Sequence, residues 1–442
     1  MNPAVEVRAT PRQPLGMPPR QFLRDYWQKR PLLIRGMFPG GVDAVAPDDL
    51  AGLACEEAAL SRIVIRSPAT SSSRPGNGRD PAPGTEKNDR WTLRNGPFRE
   101  RDFARLPKTR WTLLVQDVDK WDMDVAALLD GFAFLPAWRI DDVMVSYATD
   151  GGGVGPHVDQ YDVFLLQGVG YRRWSIDAQP RAFAPAAFRD DSELKLLREF
   201  APTHAWLLDP GDALYLPPGV AHDGVAMGEC TTYSVGMRAP SRAELLFDFT
   251  EFLAEPLTED DRYIDPDLTP ARATGEIDAA ALARVRRALP LFDFVAQRYQ
   301  RPSPAKRERG GPFAAANGEA KSSIDDATLA HWFGRFITRY RSAQIVAAPG
   351  REIGMAELRR RLPKSTILRN PFSRFAWRRD GREAELFAAG EALRCPTTLA
   401  RLLAAEREID GTTLAGFTEN PRALATLKAL LDAGHLQLIR RR

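Results

Sequence analysis

The stretch PHVDQYDVFLLQG, residues 156–168, sets His157 and Asp159 two residues apart at the head of an apolar run. Side chains alternate across a β-strand, so this pair offers an imidazole nitrogen and a carboxylate oxygen to one point in space. A metal held there needs a third protein ligand. The candidate is His222, closing the segment DPGDALYLPPGVAH, residues 209–222. Leu214, Tyr215 and Leu216 read as a short strand, and Pro217, Pro218 and Gly219 as a rigid turn that presents the histidine. A histidine near an aspartate is common as a plain hydrogen-bonded pair. The context sets this one apart: the glycine-rich run at 151–155 lets backbone approach a pocket closely. The chain has five histidines; His204, beside Trp206, competes as third ligand, but no turn presents it.

With 442 residues the chain exceeds what one hydrophobic core usually organises. Lys plus Arg number 61 and Asp plus Glu 58, a net charge of +3 that gives no global case for nucleic-acid binding. Three widely spaced cysteines allow neither a disulfide framework nor a CxxC zinc site. No apolar leader and no membrane-length apolar run is present, so the expectation is a cytoplasmic protein without a membrane partner.

Outward from the central run, short strands recur: 32–34, 63–66, 91–94, 111–118, 141–148, YRRWSI at 171–176, 205–208, 214–216 and TTYSVGM at 231–237. Turn chemistry separates them without a βαβ rhythm, which argues a β-sandwich or small barrel. A helix from Pro19 carries Phe22, Leu23, Tyr26 and Trp27, an aromatic stripe read as core, and is expected to run until Pro31. Further helices are expected at 48–54, 125–129 and 193–200. The inserts at 67–90 and 301–323 are rich in Ser, Pro, Gly and charge, and read as loops too polar to order themselves. From Ser241, a capping box with Glu244 opens a helix whose apolar face is Leu245, Leu246, Phe249, Phe252 and Leu253. Helices follow at 278–289 and 291–299, and another after Asp325 and Asp326 with Leu329, Trp332, Phe333, Phe336, Ile337 and Tyr340. Helices at 397–405 and 421–433 with strands near 373–378, 385–388 and 436–439 suit a winged-helix-like domain. Its last helix offers only Arg422 and Lys428, too little basic surface for specific DNA reading.

Two histidines and a carboxylate on one face, with the opposite positions open, match the facial triad of non-haem Fe(II) oxygenases. GGGVGPHVDQYDVFLLQG, YRRW and PGDALYLPPGVAH resemble the JmjC-type cupin oxygenases that use Fe(II) and 2-oxoglutarate. Together with FLRDYWQKRPLLIRG at 22–36 and TTYSVGMRAP at 231–240, they resemble more narrowly the bacterial ribosomal oxygenases, which hydroxylate an arginine of a large-subunit ribosomal protein. The resemblance is strong over 18–240 and continues in family order beyond. It implies a mainly β protein with α: a double-stranded β-helix (cupin/JmjC) catalytic domain at 1–240, a helical dimerisation domain at 241–345 and a winged-helix-like α+β domain at 346–442. It further implies Fe(II), 2-oxoglutarate and O₂ as reactants, a ribosomal protein as partner, and a homodimer. Alternation in YRRWSI points Arg172 inward with Trp174 and Ile176, and the family places its 2-oxoglutarate arginine at this step. Ser234 is a second candidate for that carboxylate. Asp150 and Asp162 are candidates for binding a substrate guanidinium. Two other readings stay open at this point: a cupin oxygenase of a small molecule, and a non-catalytic metabolite-sensing regulator.

Overall fold

The computed structural model describes residues 5–67, 89–191, 193–259, 279–288, 326–339 and 346–440, with a few single residues between 260 and 278. The expected loops at 67–90 and 301–323 and the helix at 291–299 therefore lie almost wholly outside the described residues, as do Asp325 and Tyr340.

Thirteen strands build the first part: β1 Glu6–Arg8, β2 Leu32–Arg35, β3 Ser61–Ser67, β4 Arg90–Asn95, β5 Trp111–Val115, β6 Ile140–Ala148, β7 His157–Val158, β8 Val163–Gln167, β9 Tyr171–Ile176, β10 His204–Leu208, β11 Ala213–Leu216, β12 Ala221–Met227 and β13 Cys230–Met237. Nine of them form one sheet in the order β1-β2-β11-β8-β13-β6-β5-β3-β4, and four form a facing sheet in the order β10-β9-β12-β7. The apolar run after the HxD pair has no polar alternation because β8 is covered on both sides. Val163 and Leu165 turn into the space between the sheets with Trp174 and Ile176, whereas Phe164 and Leu166 join the core on the outer side.

That outer core is aromatic. Phe22 sits 5.0 Å from Tyr215 and 5.7 Å from Phe164, ring centre to ring centre. Burying side chains of this size contributes on the order of 1.5–3 kcal/mol each, so the N-terminal helix Pro19–Asp25 is a structural backing for the nine-stranded sheet. The helix stops well before Pro31. Gln28 takes a left-handed backbone (φ 56°) and donates its N–H to the Tyr215 hydroxyl at 2.8 Å, which turns the chain toward β2.

The capping box at Ser241 is formed as expected: Ser241 Oγ accepts from the Glu244 N–H and Glu244 Oε2 accepts from the Ser241 N–H, opening the helix Arg242–Ala254. Its apolar residues do not all lie on one buried face. Phe249 is buried against Trp332, ring centres 4.7 Å apart, while Leu246 is 58% exposed and the unremarked Phe247 76%. On the helix Asp326–Thr338, Trp332, Phe336 and Ile337 pack inward and Leu329 faces out. The expected helix at 193–200 does not form. Leu196 and Leu197 are both buried, and this segment's N–H groups donate to Pro156 and Ala187 carbonyls across the chain instead of four residues back.

The C-terminal part carries β14 Ser365–Arg369, β15 Phe375–Asp380, β16 Glu383–Ala388, β17 Glu391–Pro396, β18 Glu408–Asp410 and β19 Leu436–Arg440. They pair as β18-β14-β19 and as an antiparallel β15-β16-β17 meander, backed by the helices Thr397–Ala405 and Pro421–Asp432. Among the contacts that dock this part on the first, Arg374 donates to the carbonyl of Asp141 at 2.6 Å and also to its carboxylate, Arg407 pairs with Asp130 at 2.8 Å, and Trp121 meets Phe372 edge-on.

Candidate metal centre

The short sheet brings His157 and His222 together by register. β12 pairs antiparallel with β7 so that His222 lies directly opposite His157, and their ring centres stand 4.2 Å apart. Strand β7 is only two residues long, so Asp159 lies just beyond it, held by its own backbone: its carbonyl accepts the Gly219 N–H at 2.9 Å, tying the HxD segment to the PPG turn that presents His222. Each ring engages Nδ1 with a local carbonyl, Gly155 for His157 (2.8 Å) and Val220 for His222 (3.0 Å). Nδ1–H donation leaves Nε2 as a lone pair, the tautomer a metal ligand needs. Burial, then the neighbouring His157, push the His222 pKa down to about 4, so its ring is neutral at physiological pH. Ligand atoms of His157, Asp159 and His222 lie within 4.8 Å of one another, the one such cluster among the described residues. His204 is elsewhere, on β10, with Nδ1 against the Thr203 hydroxyl and its ring stacked on Trp206.

A cavity of about 470 Å³ opens from these three residues between the two sheets, within the size range of small-ligand sites. Arg172 and Ser234 both line it, Arg172 from β9 and Ser234 from the facing β13. Arg172 is 4% exposed, lies over the Trp174 ring, and has its Nε and Nη2 buried without a hydrogen-bond partner among the described residues. Arg173, the next residue, is exposed, so the alternation in YRRWSI is in phase. The wall behind Trp174 requires glycine: a Cβ on Gly224, its cross-strand partner, would stand 2.6 Å from the indole ring.

Two expected substrate-binding carboxylates are not at the cavity. Asp162 is fully buried, with its carboxylate accepting from the Tyr215 hydroxyl (2.6 Å), Gln28 Nε2 (3.0 Å) and Arg139 Nη2 (3.2 Å). Asp150 accepts the Gly228 N–H at 2.8 Å and braces the glycine turn. Besides Asp159, the acids that line the cavity are Asp141, Asp142 and Glu193, with Tyr161 also in the lining. On β6, Asp142, Met144 and Ser146 face the cavity while Val143 and Val145 face the outer core. That polar alternation in DDVMVS was the signal available in the sequence. Desolvation, then Asp117, Asp141 and Asp119, raise the Asp142 pKa to about 7, although Gln116 Nε2 donates to it at 2.6 Å. A cation placed next to Asp142 would relieve this cost.

Comparison with known proteins agrees with the geometry. A JmjC domain model matches residues 127–245 and a ROXA-like winged-helix model residues 320–437. The ribosomal protein uL16 3-hydroxylase of Escherichia coli (strain K12) is 31% identical over 423 residues, 94% of this chain and 96% of that protein. A probable ribosomal oxygenase of Haemophilus influenzae is 37% identical over 229 residues, 52% of this chain and 51% of that one. Among solved structures, E. coli YcfD superposes with a TM-score of 0.74 at 29% identity, covering 96% of this chain and 99% of that one. The same ribosomal oxygenase in complex with cobalt and 2-oxoglutarate gives 0.71 at 30%, with 96% and 99% covered. With likeness running almost end to end through both the β-helix and the terminal domain, the chain belongs to the family of ribosomal oxygenases, 2-oxoglutarate-using JmjC enzymes that carry a ROXA-like winged helix.

Proposed function

We propose that the chain is an Fe(II)- and 2-oxoglutarate-dependent protein hydroxylase acting on an arginine side chain of ribosomal protein uL16, with His157, Asp159 and His222 as iron ligands and Arg172, assisted by Ser234, as receptor for the far carboxylate of 2-oxoglutarate. The observation that carries this reading is the Arg172 guanidinium, whose buried Nε and Nη2 have no hydrogen-bond partner among the described residues. A buried cation in this condition costs several kcal/mol unless an anion meets it. Arg172 stands four residues along β9 from Ile176, the cross-strand partner of His222, a span of about 13 Å. An arginine side chain and a five-carbon diacid laid end to end cover that span. The donor set fits ferrous iron, since three ligands on one side leave room for a bidentate 2-oxo acid and O₂.

Bound together, ferrous iron and 2-oxoglutarate supply the oxidising power to insert one oxygen atom of O₂ into a C–H bond, with succinate and CO₂ as the other products. The chain's own task is placement. The Nδ1 hydrogen bonds fix both imidazole rings, while Leu165, Trp174 and Val163 give the cavity beside them an apolar wall. Asp142 and Asp141 hold a guanidinium at the mouth by charge-assisted hydrogen bonds, which is the support for arginine as the modified residue. The E. coli relative is a uL16 3-hydroxylase, the support for the substrate protein and for action in the cytoplasm, where that substrate is made. Among the described residues no helix is long and apolar enough to cross a membrane.

The division into a catalytic part (1–240), a linking helical part (241–345) and a terminal part (346–442) belongs to the same reading, with the helix Asp326–Thr338 packed on β15 to β17 of the terminal part. A homodimer is supported by Leu246, Phe247 and Leu257, large apolar side chains left exposed on and just after one helix. Specific DNA binding is not expected of the helix Pro421–Asp432: its Arg422 is paired with Glu383 and its Lys428 with Glu352 and Asp432. The deciding experiment is intact-mass analysis of uL16 from cells with and without this gene. One additional oxygen atom, lost on deletion and restored by wild type but not by Asp159→Ala, is the expected result. An unchanged uL16 mass on deletion overturns the substrate. Light scattering of wild type against Phe247→Glu tests the dimer, and a monomeric wild type refutes it.

A further inference from the structure

A second cavity, of about 290 Å³, lies at the seam between the β-helix part and the terminal part, away from His157, Asp159 and His222. Its apolar walls come from both sides: Met123, Ala126 and Leu129 from the first part, Leu368, Phe375 and Ala405 from the second. The Asp130–Arg407 and Asp141–Arg374 pairs bridge the two parts across it.

Into this space projects Arg369, the last residue of β14. Its Nη1 donates to the carbonyls of Leu403 (3.4 Å) and Ala404 (3.1 Å), the final turn of the helix Thr397–Ala405, and its guanidinium lies over the Phe375 ring. Among the described residues its side chain makes no other hydrogen bond and no ion pair, while its backbone N–H donates to the Arg407 carbonyl at 2.8 Å; Arg374 and Arg407 beside it are both ion-paired. Helix capping accounts for one nitrogen of the guanidinium. Nε and Nη2 of this part-exposed side chain have no hydrogen-bond partner among the described residues. Burial, then the charge of Arg407, lower the Arg369 pKa to about 10; Arg407 is itself paired with Asp130, which leaves Arg369 as the cation of this cavity without an acidic partner among the described residues. A cavity with an apolar body and unspent guanidinium donors at one end has the chemistry of a site for an amphiphilic anion.

We propose that this seam is a second ligand site, taking a small oxyanion, carboxylate or phosphate monoester, carried on an apolar body, with Arg369 as its principal receptor and Arg407 as support. The apolar body lies against Leu129 and Phe375. Inorganic phosphate, having no such body, binds much more weakly. Asp141 lines both this cavity and the mouth of the metal cavity, so the two sites share one residue without overlapping.

The test is calorimetric titration of the full-length protein with phenyl phosphate and, separately, phenylacetate, with inorganic phosphate and benzyl alcohol as controls, in the presence of saturating Mn(II) and 2-oxoglutarate. At least one of the two aromatic anions is expected to bind at least about tenfold more tightly than either control, and which one binds identifies the anion class. Arg369→Gln should weaken that binding about tenfold or more. Ala405→Trp, which fills the cavity from an exposed position, should abolish it. Unaltered 2-oxoglutarate turnover in each variant shows that the fold is intact; if Arg369→Gln fails this check, Ala405→Trp and Arg407→Gln carry the test. Equal binding to wild type and folded variants, binding seen only when 2-oxoglutarate is omitted, or no binding of either anion into the millimolar range overturns the proposal and leaves Arg369 as a helix cap alone.

Discussion

Replacing Asp142 by asparagine should make the protein more stable and a worse enzyme. The side chain is 4% exposed among other carboxylates, and its pKa rises from 3.8 to about 7 in the fold. Because the folded pKa is the higher one, the fold favours the protonated acid. Its contribution is fully present below about pH 4 and is lost as pH rises through 7. The rise corresponds to a penalty on the order of 4 kcal/mol at pH 8. An amide is isosteric and keeps an oxygen for Gln116 Nε2 and the Asp117 N–H. It must still be desolvated, so the expected gain is about 1–3 kcal/mol at pH 8, shrinking toward zero near pH 4. Urea unfolding of Asp142→Asn and wild type at pH 5 and pH 8 measures this directly. In turnover assays wild-type KM for the protein substrate should fall as pH rises through 7 and the carboxylate ionises. Asp142→Asn should lack that dependence and show a KM raised about tenfold or more. A variant less stable at pH 8, or a stability difference independent of pH, would refute the assignment of Asp142 as a strained acid waiting for a cation.

His157→Ala, Asp159→Ala and His222→Ala should each abolish 2-oxoglutarate turnover and weaken Mn(II) binding, whereas His204→Ala should leave both intact; full activity in Asp159→Ala would sink the triad. Arg172→Met should raise the KM for 2-oxoglutarate by the equivalent of about 2–5 kcal/mol while Arg173→Met has little effect, and equal effects would show the β9 phase to be wrong. Gly224→Ala drives a methyl group to 2.6 Å from the Trp174 ring, so it should cost about 1–3 kcal/mol in denaturant unfolding and loosen 2-oxoglutarate binding; a neutral outcome means that the wall yields more easily than its packing indicates.

The meeting of His157, Asp159 and His222 and the inward phase of Arg172 were legible because both follow from local rules. Strand alternation sets the phase of Arg172, and turn chemistry presents His222. The β-helix architecture was legible for the same reason, since each strand is short and punctuated. What failed depended on distant partners. Residues 193–200 have helical composition, yet burial of Leu196 and Leu197 against other segments draws their backbone into extended form. Asp162 sits in a turn-like context that reads as exposed, and only the arrival of Gln28, Arg139 and Tyr215 from three other segments makes it an interior brace. Phe247 and Leu246 illustrate the converse: apolar periodicity marks a helix but cannot say which apolar side chains another surface will cover.

The clamp that Arg374 places on Asp141 ties a residue of the terminal part to the lining of the metal cavity. A chain cut after residue 240 would keep His157, Asp159, His222 and Arg172 but lose the Arg374 guanidinium that offsets the charge of Asp141 beside Asp142, while Arg238 stays 4.0 Å away. The shortened enzyme would then hold a proton more tightly at its mouth and greet a cationic side chain less readily at neutral pH. On the proposed function, a change at position 374 is expected to reach the acids of the metal cavity from more than two hundred residues away in sequence, and exchanging terminal parts between relatives is expected to exchange part of that lining with them.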